Sequence, residues 1–143
     1  MWDIRLSKSE WSTANVVGKA RMDNVVQHDR KGNPYQERHY NRDDYTLGLR
    51  RHVNGAACEM AVAKRLNMFW PATIGIDPNS FDVGDCMEVR GTDLSYGNLL
   101  LYPKDRNKDY AAFVFVIKDG VRFSLKGWMR GMDGMTDRFY DPG

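Results

Sequence analysis

The run Tyr110-Ala111-Ala112-Phe113-Val114-Phe115-Val116-Ile117 constrains the fold more than any other stretch of this chain. It is apolar at every position, so both faces of the strand it predicts must be covered, and such a strand belongs inside a sheet. Lys118-Asp119-Gly120 turns the chain, and Val121-Arg122-Phe123-Ser124-Leu125 alternates as a more exposed strand. Residues 98–102, with Leu99, Leu100 and Leu101, predict a further short strand, followed by a charged turn over 103–109.

Helices to cover that sheet come first in the chain. Residues 6–27 read as one, with Ser7 or Ser9 as cap and Glu10 placed for a capping box. Trp11, Ala14, Val17 (with Val16), Arg21 and Val25 recur on it at helical spacing. A polar segment over 28–44 follows, with the turn signal Gly32-Asn33-Pro34. Its Arg30, Lys31, Arg38, His39 and Arg42 interleave with Tyr35 and Tyr40, which suits a nucleic-acid contact. Asp29, Glu37, Asp43 and Asp44 nearly cancel that charge, so a solvated surface loop is the other reading.

Asp43 or Asp44 can cap a second helix reaching about residue 67, where Trp70 before Pro71 closes it off. Its Gly48, Gly55, Ala56, Ala57, Ala61 and Ala63 would let it lie close to a neighbour. Gly55 costs about 1 kcal/mol against alanine in an exposed helix, which a close backbone approach to a sheet would explain. Glu59 sits among Ala, Cys and Met, so its carboxylate is either functional or paired, with Arg65 or Arg51 as partner.

Between helices and sheet lies Phe81-Asp82-Val83-Gly84-Asp85-Cys86-Met87-Glu88-Val89-Arg90-Gly91-Thr92. It turns at Gly84-Asp85 and alternates afterwards, with Met87 and Val89 on one face and Glu88 and Arg90 on the other. A two-residue loop would pair Val83 with Cys86 and leave Asp82 on the face of Met87. A three-residue loop or bulge would set Asp82 opposite Glu88 and gather the carboxylates. Two such carboxylates can hold a divalent cation, and a neighbouring cationic side chain can orient water or stabilise charge on a phosphate.

A helix bearing Glu59, then Asp82, a short turn, and Glu88-Val89-Arg90 resembles the PD-(D/E)XK nuclease superfamily. With the late Gly127-Trp128, the pattern is most similar to short phage and prophage proteins of that superfamily. The resemblance runs from the Glu59 helix through Trp128, with Arg90 where the usual Lys would stand and no Pro before Asp82. It implies an α/β (α+β) fold with a restriction-endonuclease-like core: a central mixed sheet of about four to five strands flanked by two N-terminal helices. Asp82 and Glu88 would ligate Mg²⁺ (or Mn²⁺), with Glu59 as the accessory acid and third ligand. Arg90 would stand over the scissile phosphate, where a guanidinium binds but does not serve as a base. DNA would be the partner, held by Arg50, Arg51, Thr92, Arg38 and Arg42. The activity implied is metal-dependent hydrolysis of DNA phosphodiester bonds. The alternative is an impaired relative that binds DNA or a host protein without cleavage, and a homodimer is compatible with either.

The 143 residues fit one domain: helix 6–27, basic and aromatic loop 28–44, core 45–128 and a Gly-punctuated tail 129–143 with room for one helical turn. A composition 42% hydrophobic and 28% charged is ordinary for a soluble protein, and no apolar run reaches membrane-spanning length. Met-Trp-Asp-Ile-Arg has no signal-peptide core, so a cytoplasmic address and no membrane partner are expected. A net charge of +2 means that any hold on DNA must come from local clusters. Cys58 and Cys86 are too few for a disulfide scaffold and are expected to be buried as small hydrophobes.

Overall fold

The computed structural model describes residues 2–32, 41–75, 77 and 79–142. Four strands, β1 (Asp3–Arg5), β2 (Met87–Thr92), β3 (Ala112–Asp119) and β4 (Arg122–Arg130), form one sheet in the order β1-β4-β3-β2. The apolar run supplies β3, an interior strand as its pattern requires, although it begins at Ala112 rather than Tyr110. β3 runs parallel to β2 and antiparallel to β4, and β1 is antiparallel to β4, so the sheet is mixed. The fold is therefore α+β.

Two helices, α1 (Lys8–Gly32) and α2 (Arg42–Leu66), precede the main strands. The Ser7–Glu10 capping box forms as its spacing predicts: the Glu10 N–H donates to Ser7 Oγ at 3.2 Å, and the Ser7 N–H to Glu10 Oε2 at 2.6 Å. α1 runs on through the start of the segment expected to be a loop. For α2 the cap is Asn41, not Asp43 or Asp44, and its Oδ1 accepts the Asp44 N–H at 2.8 Å. Asn67, at φ +53°, ends α2 in the left-handed region.

The helices do not flank the sheet as two equal neighbours. α2 lies directly on the sheet, every residue from Ala56 to Ala63 buried, and α1 packs mainly on α2. Close approach is what the small residues supply, though not at Gly55. A Cβ at Gly18 of α1 would come within 2.5 Å of the Val53 backbone, and one at Gly91 of β2 within 2.5 Å of Cys58 Sγ. At Gly55 a Cβ would meet nothing within 4 Å, so the sheet contact expected there is absent. Val89, Val114, Val116 and Phe123 form the sheet side of the core.

Three further differences follow from local chemistry. Residues 98–102 form no strand: the Tyr102 N–H donates to Asp105 at 2.8 Å instead of joining a ladder, and Leu100 is exposed. β1 was not expected, although Trp2, Ile4 and Leu6 alternate with Asp3 and Arg5. β4 extends five residues beyond the predicted Leu125, because a bulge at Lys126 and Gly127 at φ +153° let it follow β3 round a bend. The tail then holds one helical turn, Gly131–Gly134. Cys58 is buried and its thiol pushed up to about 12 by desolvation, whereas Cys86 is exposed, on the turn before β2. Among the described residues no helix is long and apolar enough to cross a membrane.

Candidate active site

The turn before β2 decides whether carboxylates meet. Val83 bridges to Met87, with reciprocal N–H to carbonyl bonds of 3.2 and 3.3 Å, so the loop is the three-residue Gly84-Asp85-Cys86. The regular two-residue hairpin is excluded. Gly84 sits at φ +58°, its N–H donates to the Phe69 carbonyl at 2.8 Å, and a Cβ there would strike Met68 at 2.7 Å. This register sets Asp82 opposite Glu88.

Asp82 grips the open edge of β2, where its Oδ2 accepts the Val89 N–H at 2.8 Å. Glu88 is buried on the sheet face away from α2, opposite Phe113 of β3. Arg90 follows on the same face, its Nη1 3.9 Å from Asp82 Oδ2 and 3.7 Å from Glu88 Oε2. Its Nη2 donates to Asp105 at 2.8 Å, and its guanidinium lies over the Phe113 ring. Desolvation, then the charges of Glu59 and Glu88, push the Asp82 carboxyl up to about 7.

Glu59 occupies a different environment. Both its oxygens accept from Arg21 of α1, at 2.8 Å each, and Oε2 also accepts the Trp70 indole N–H at 3.0 Å. Arg21 in turn donates to the Thr73 carbonyl at 2.9 Å, tying both helices to the loop beyond α2. The partner is thus Arg21 rather than Arg65 or Arg51, brought in by the close α1–α2 crossing. Arg65 lies over the Trp2 ring.

The charged turn expected over 103–109 is a 3-10 helix, Pro103–Lys108, and it closes the site. Side chains three apart eclipse in such a helix, which points Asp105 and Lys108 the same way. Asp105 holds Arg90, and Lys108 Nζ lies 2.5 Å from Glu88 Oε1 and from the Ser80 carbonyl. Arg21, Asp105 and Lys108 are the members of this cluster that pattern reading passed over. The three-residue spacing of Asp105 and Lys108 was the available signal.

Among the described residues, those expected to hold DNA stand apart from the carboxylates. Thr92 is about 13 Å along β2 from Glu88, and its hydroxyl accepts the Leu94 N–H at 3.1 Å. Arg50 is exposed, 3.8 Å from Asp93, while Arg51 and Arg42 are exposed on the outer half of α2. Arg38 lies outside the described residues, as do Tyr35, His39 and Tyr40 of the basic and aromatic loop. On the other face of the sheet a cavity of about 460 Å³ is lined by Trp2, Leu66, Met87, Val114, Leu125 and Trp128. Because Met87 and Glu88 are successive strand residues, this cavity faces away from the carboxylates.

Asp82 and Glu88 suit a divalent cation of the Mg²⁺ type, which binds through one or two carboxylates and keeps several waters. Among the described residues no set of three His, Cys, Asp or Glu side chains is arranged to hold a metal ion, and Glu59 is committed to Arg21. Comparison with protein-family models, with curated proteins and with solved structures found no match to this chain.

Proposed function

We propose that this chain is a metal-dependent phosphodiesterase of the PD-(D/E)XK type acting on DNA, with a restriction-endonuclease-like core and a phage origin. The observation that carries the reading is the three-residue turn that sets Asp82 against Glu88 with Arg90 within 4 Å of both. Two crowded, desolvated carboxylates are costly to ionise together, and a bound divalent cation relieves that cost. Such a cation, when bound, neutralises phosphate charge and lowers the pKa of a ligating water. Asp82 and Glu88 hold it. Arg90, kept in place by Asp105, offers a guanidinium to the phosphodiester. Lys108, seated on Glu88, supplies the amine that Arg90 lacks: an ammonium has a proton to exchange, whereas a guanidinium stays charged. Glu59 acts on the pair through its charge and holds the framework through Arg21. Work in the cytoplasm of an infected host fits this reading, as does a homodimer that cuts both strands.

A second reading has its own observation. Arg90 and Lys108 already partly neutralise Asp82 and Glu88, so the cluster can stand as a structural ion network in a protein that binds DNA or a host protein without cutting. Calorimetric titration of Mn²⁺ and Mg²⁺, followed by plasmid cleavage, separates the two. The nuclease reading expects binding and nicking that both vanish in Glu88→Ala, and loss of cleavage with retained metal binding in Lys108→Met. Wild-type protein that binds neither ion would sink it and favour the network.

A further inference from the structure

The segment that closes the carboxylate cluster has a second side. In 102–110, Tyr-Pro-Lys-Asp-Arg-Asn-Lys-Asp-Tyr, the buried Asp105 and half-buried Lys108 point inward. Tyr102, Lys104, Arg106, Asn107 and Tyr110 are exposed, the two tyrosines at 49% and 59%. The rings flank a helix about 12 Å long, and both are held. The Tyr102 backbone is fixed by Asp105, and the Lys104 ammonium lies 5.9 Å from the Tyr102 ring centre. Tyr110 meets Phe81 edge-on at 6.0 Å, and Phe81 directly precedes Asp82. Exposed rings are thus anchored at both ends of a cationic turn whose inner side chains bind Glu88 and Arg90.

Ring faces of this kind are matched by unpaired bases. In an intact duplex each base face is covered by its neighbours, so a duplex offers phosphates and groove edges but no free π-surface. A single strand offers both phosphates and bases, and stacking on an aromatic ring tolerates any base. We propose that the outward row of residues 102–110 binds single-stranded DNA, with bases stacked on Tyr102 and Tyr110 and phosphates against Lys104 and Arg106. This rests on the reading of the chain as a DNA-directed phosphodiesterase and narrows its substrate class to single-stranded or unpaired regions. The inward Asp105 and Lys108 then couple the stacked strand to the carboxylate pair.

Binding in the presence of a metal chelator tests the platform independently of cleavage. A fluorescent oligothymidylate and a blunt duplex of the same length are titrated with wild type, Tyr102→Ala, Tyr110→Ala and the two Tyr→Phe variants. Wild type is expected to prefer the single strand, and each alanine variant to weaken single-strand binding about tenfold, with phenylalanine retaining it. Lys104→Ala should weaken both ligands and lower the salt dependence of binding. Equal affinity for the two ligands, no binding of the oligothymidylate, or alanine variants within about twofold of wild type would overturn the platform. Both tyrosines are exposed, so unchanged urea midpoints are expected to accompany any loss of binding. Single-strand binding without metal-dependent cleavage would uphold the platform and remove the nuclease reading instead.

Discussion

Glu59 and Asp82 are neighbouring carboxylates whose surroundings solve opposite problems. Glu59 has a two-pronged guanidinium partner and an indole N–H, so its charge is matched on nearly every side. Asp82 has one backbone N–H, a guanidinium at the outer limit of an ion pair, and two like charges close enough to raise its pKa. The first arrangement fixes a structure. The second keeps a group in tension that a cation can release. Burial alone does not separate the two roles, since both groups are largely withdrawn from water; the partners do.

Removing the Glu59 partner should give the largest effect. Arg21→Met leaves a buried carboxylate with only the Trp70 N–H, and losing one member of a buried pair costs about 3–5 kcal/mol. Urea unfolding should show that loss, and the double variant Arg21→Met/Glu59→Gln should recover part of it. A single-variant loss below about 1 kcal/mol would place Glu59 in the range of surface pairs and erase the contrast with Asp82.

At Asp82 the sign reverses. Its folded pKa of about 7 stands above the ordinary aspartate value, so the native state holds the proton more tightly than the unfolded chain does. Stability therefore falls as pH rises from about 4 to about 7, and the deficit is fully present above that range. Asp82→Asn keeps an oxygen for the Val89 N–H and removes the charge. Near pH 8 it should stabilise by about 1–2 kcal/mol, a gain that shrinks towards pH 4. Thermal melts across that range check it. A loss of stability, or a gain independent of pH, would mean that Arg90 already satisfies Asp82.

Much of this was legible in the chain and some was not, for reasons that differ by residue. The all-apolar run announced β3 as interior, and Ser7-x-x-Glu10 announced the start of α1, because both are local patterns. The alternation after Gly84 placed Glu88 and Arg90 together, but the loop length that brings in Asp82 depends on Phe69 and Met68 packing against Gly84, which sequence spacing does not encode. The Glu59–Arg21 pair escaped because it joins two helices, and helix spacing finds partners only within one. Residues 98–102 are apolar in composition but have no ladder partner, and the Tyr102 N–H goes to Asp105 instead. Lys108 and Asp105 were hidden by a period of three inside a segment read only as charged.

Gly55 allows the finest test, since it lies one turn before Glu59 on the same face of α2. A glycine inside a helix costs about 0.5–1 kcal/mol against alanine, normally retained where a neighbour needs the space. Here a Cβ would meet nothing within 4 Å, although α2 is closely packed elsewhere, as at Val53 against Gly18. Gly55→Ala should therefore stabilise the protein by about 0.5–1 kcal/mol in urea unfolding. If Glu59 is a strut, stiffening its helix should leave Mn²⁺ affinity and DNA binding unchanged. Greater stability with weaker DNA binding would show instead that the open surface at Gly55 admits the nucleic-acid backbone. The Glu59 face of α2 would then belong to the substrate as well as to the framework, and the division between the two carboxylates would narrow.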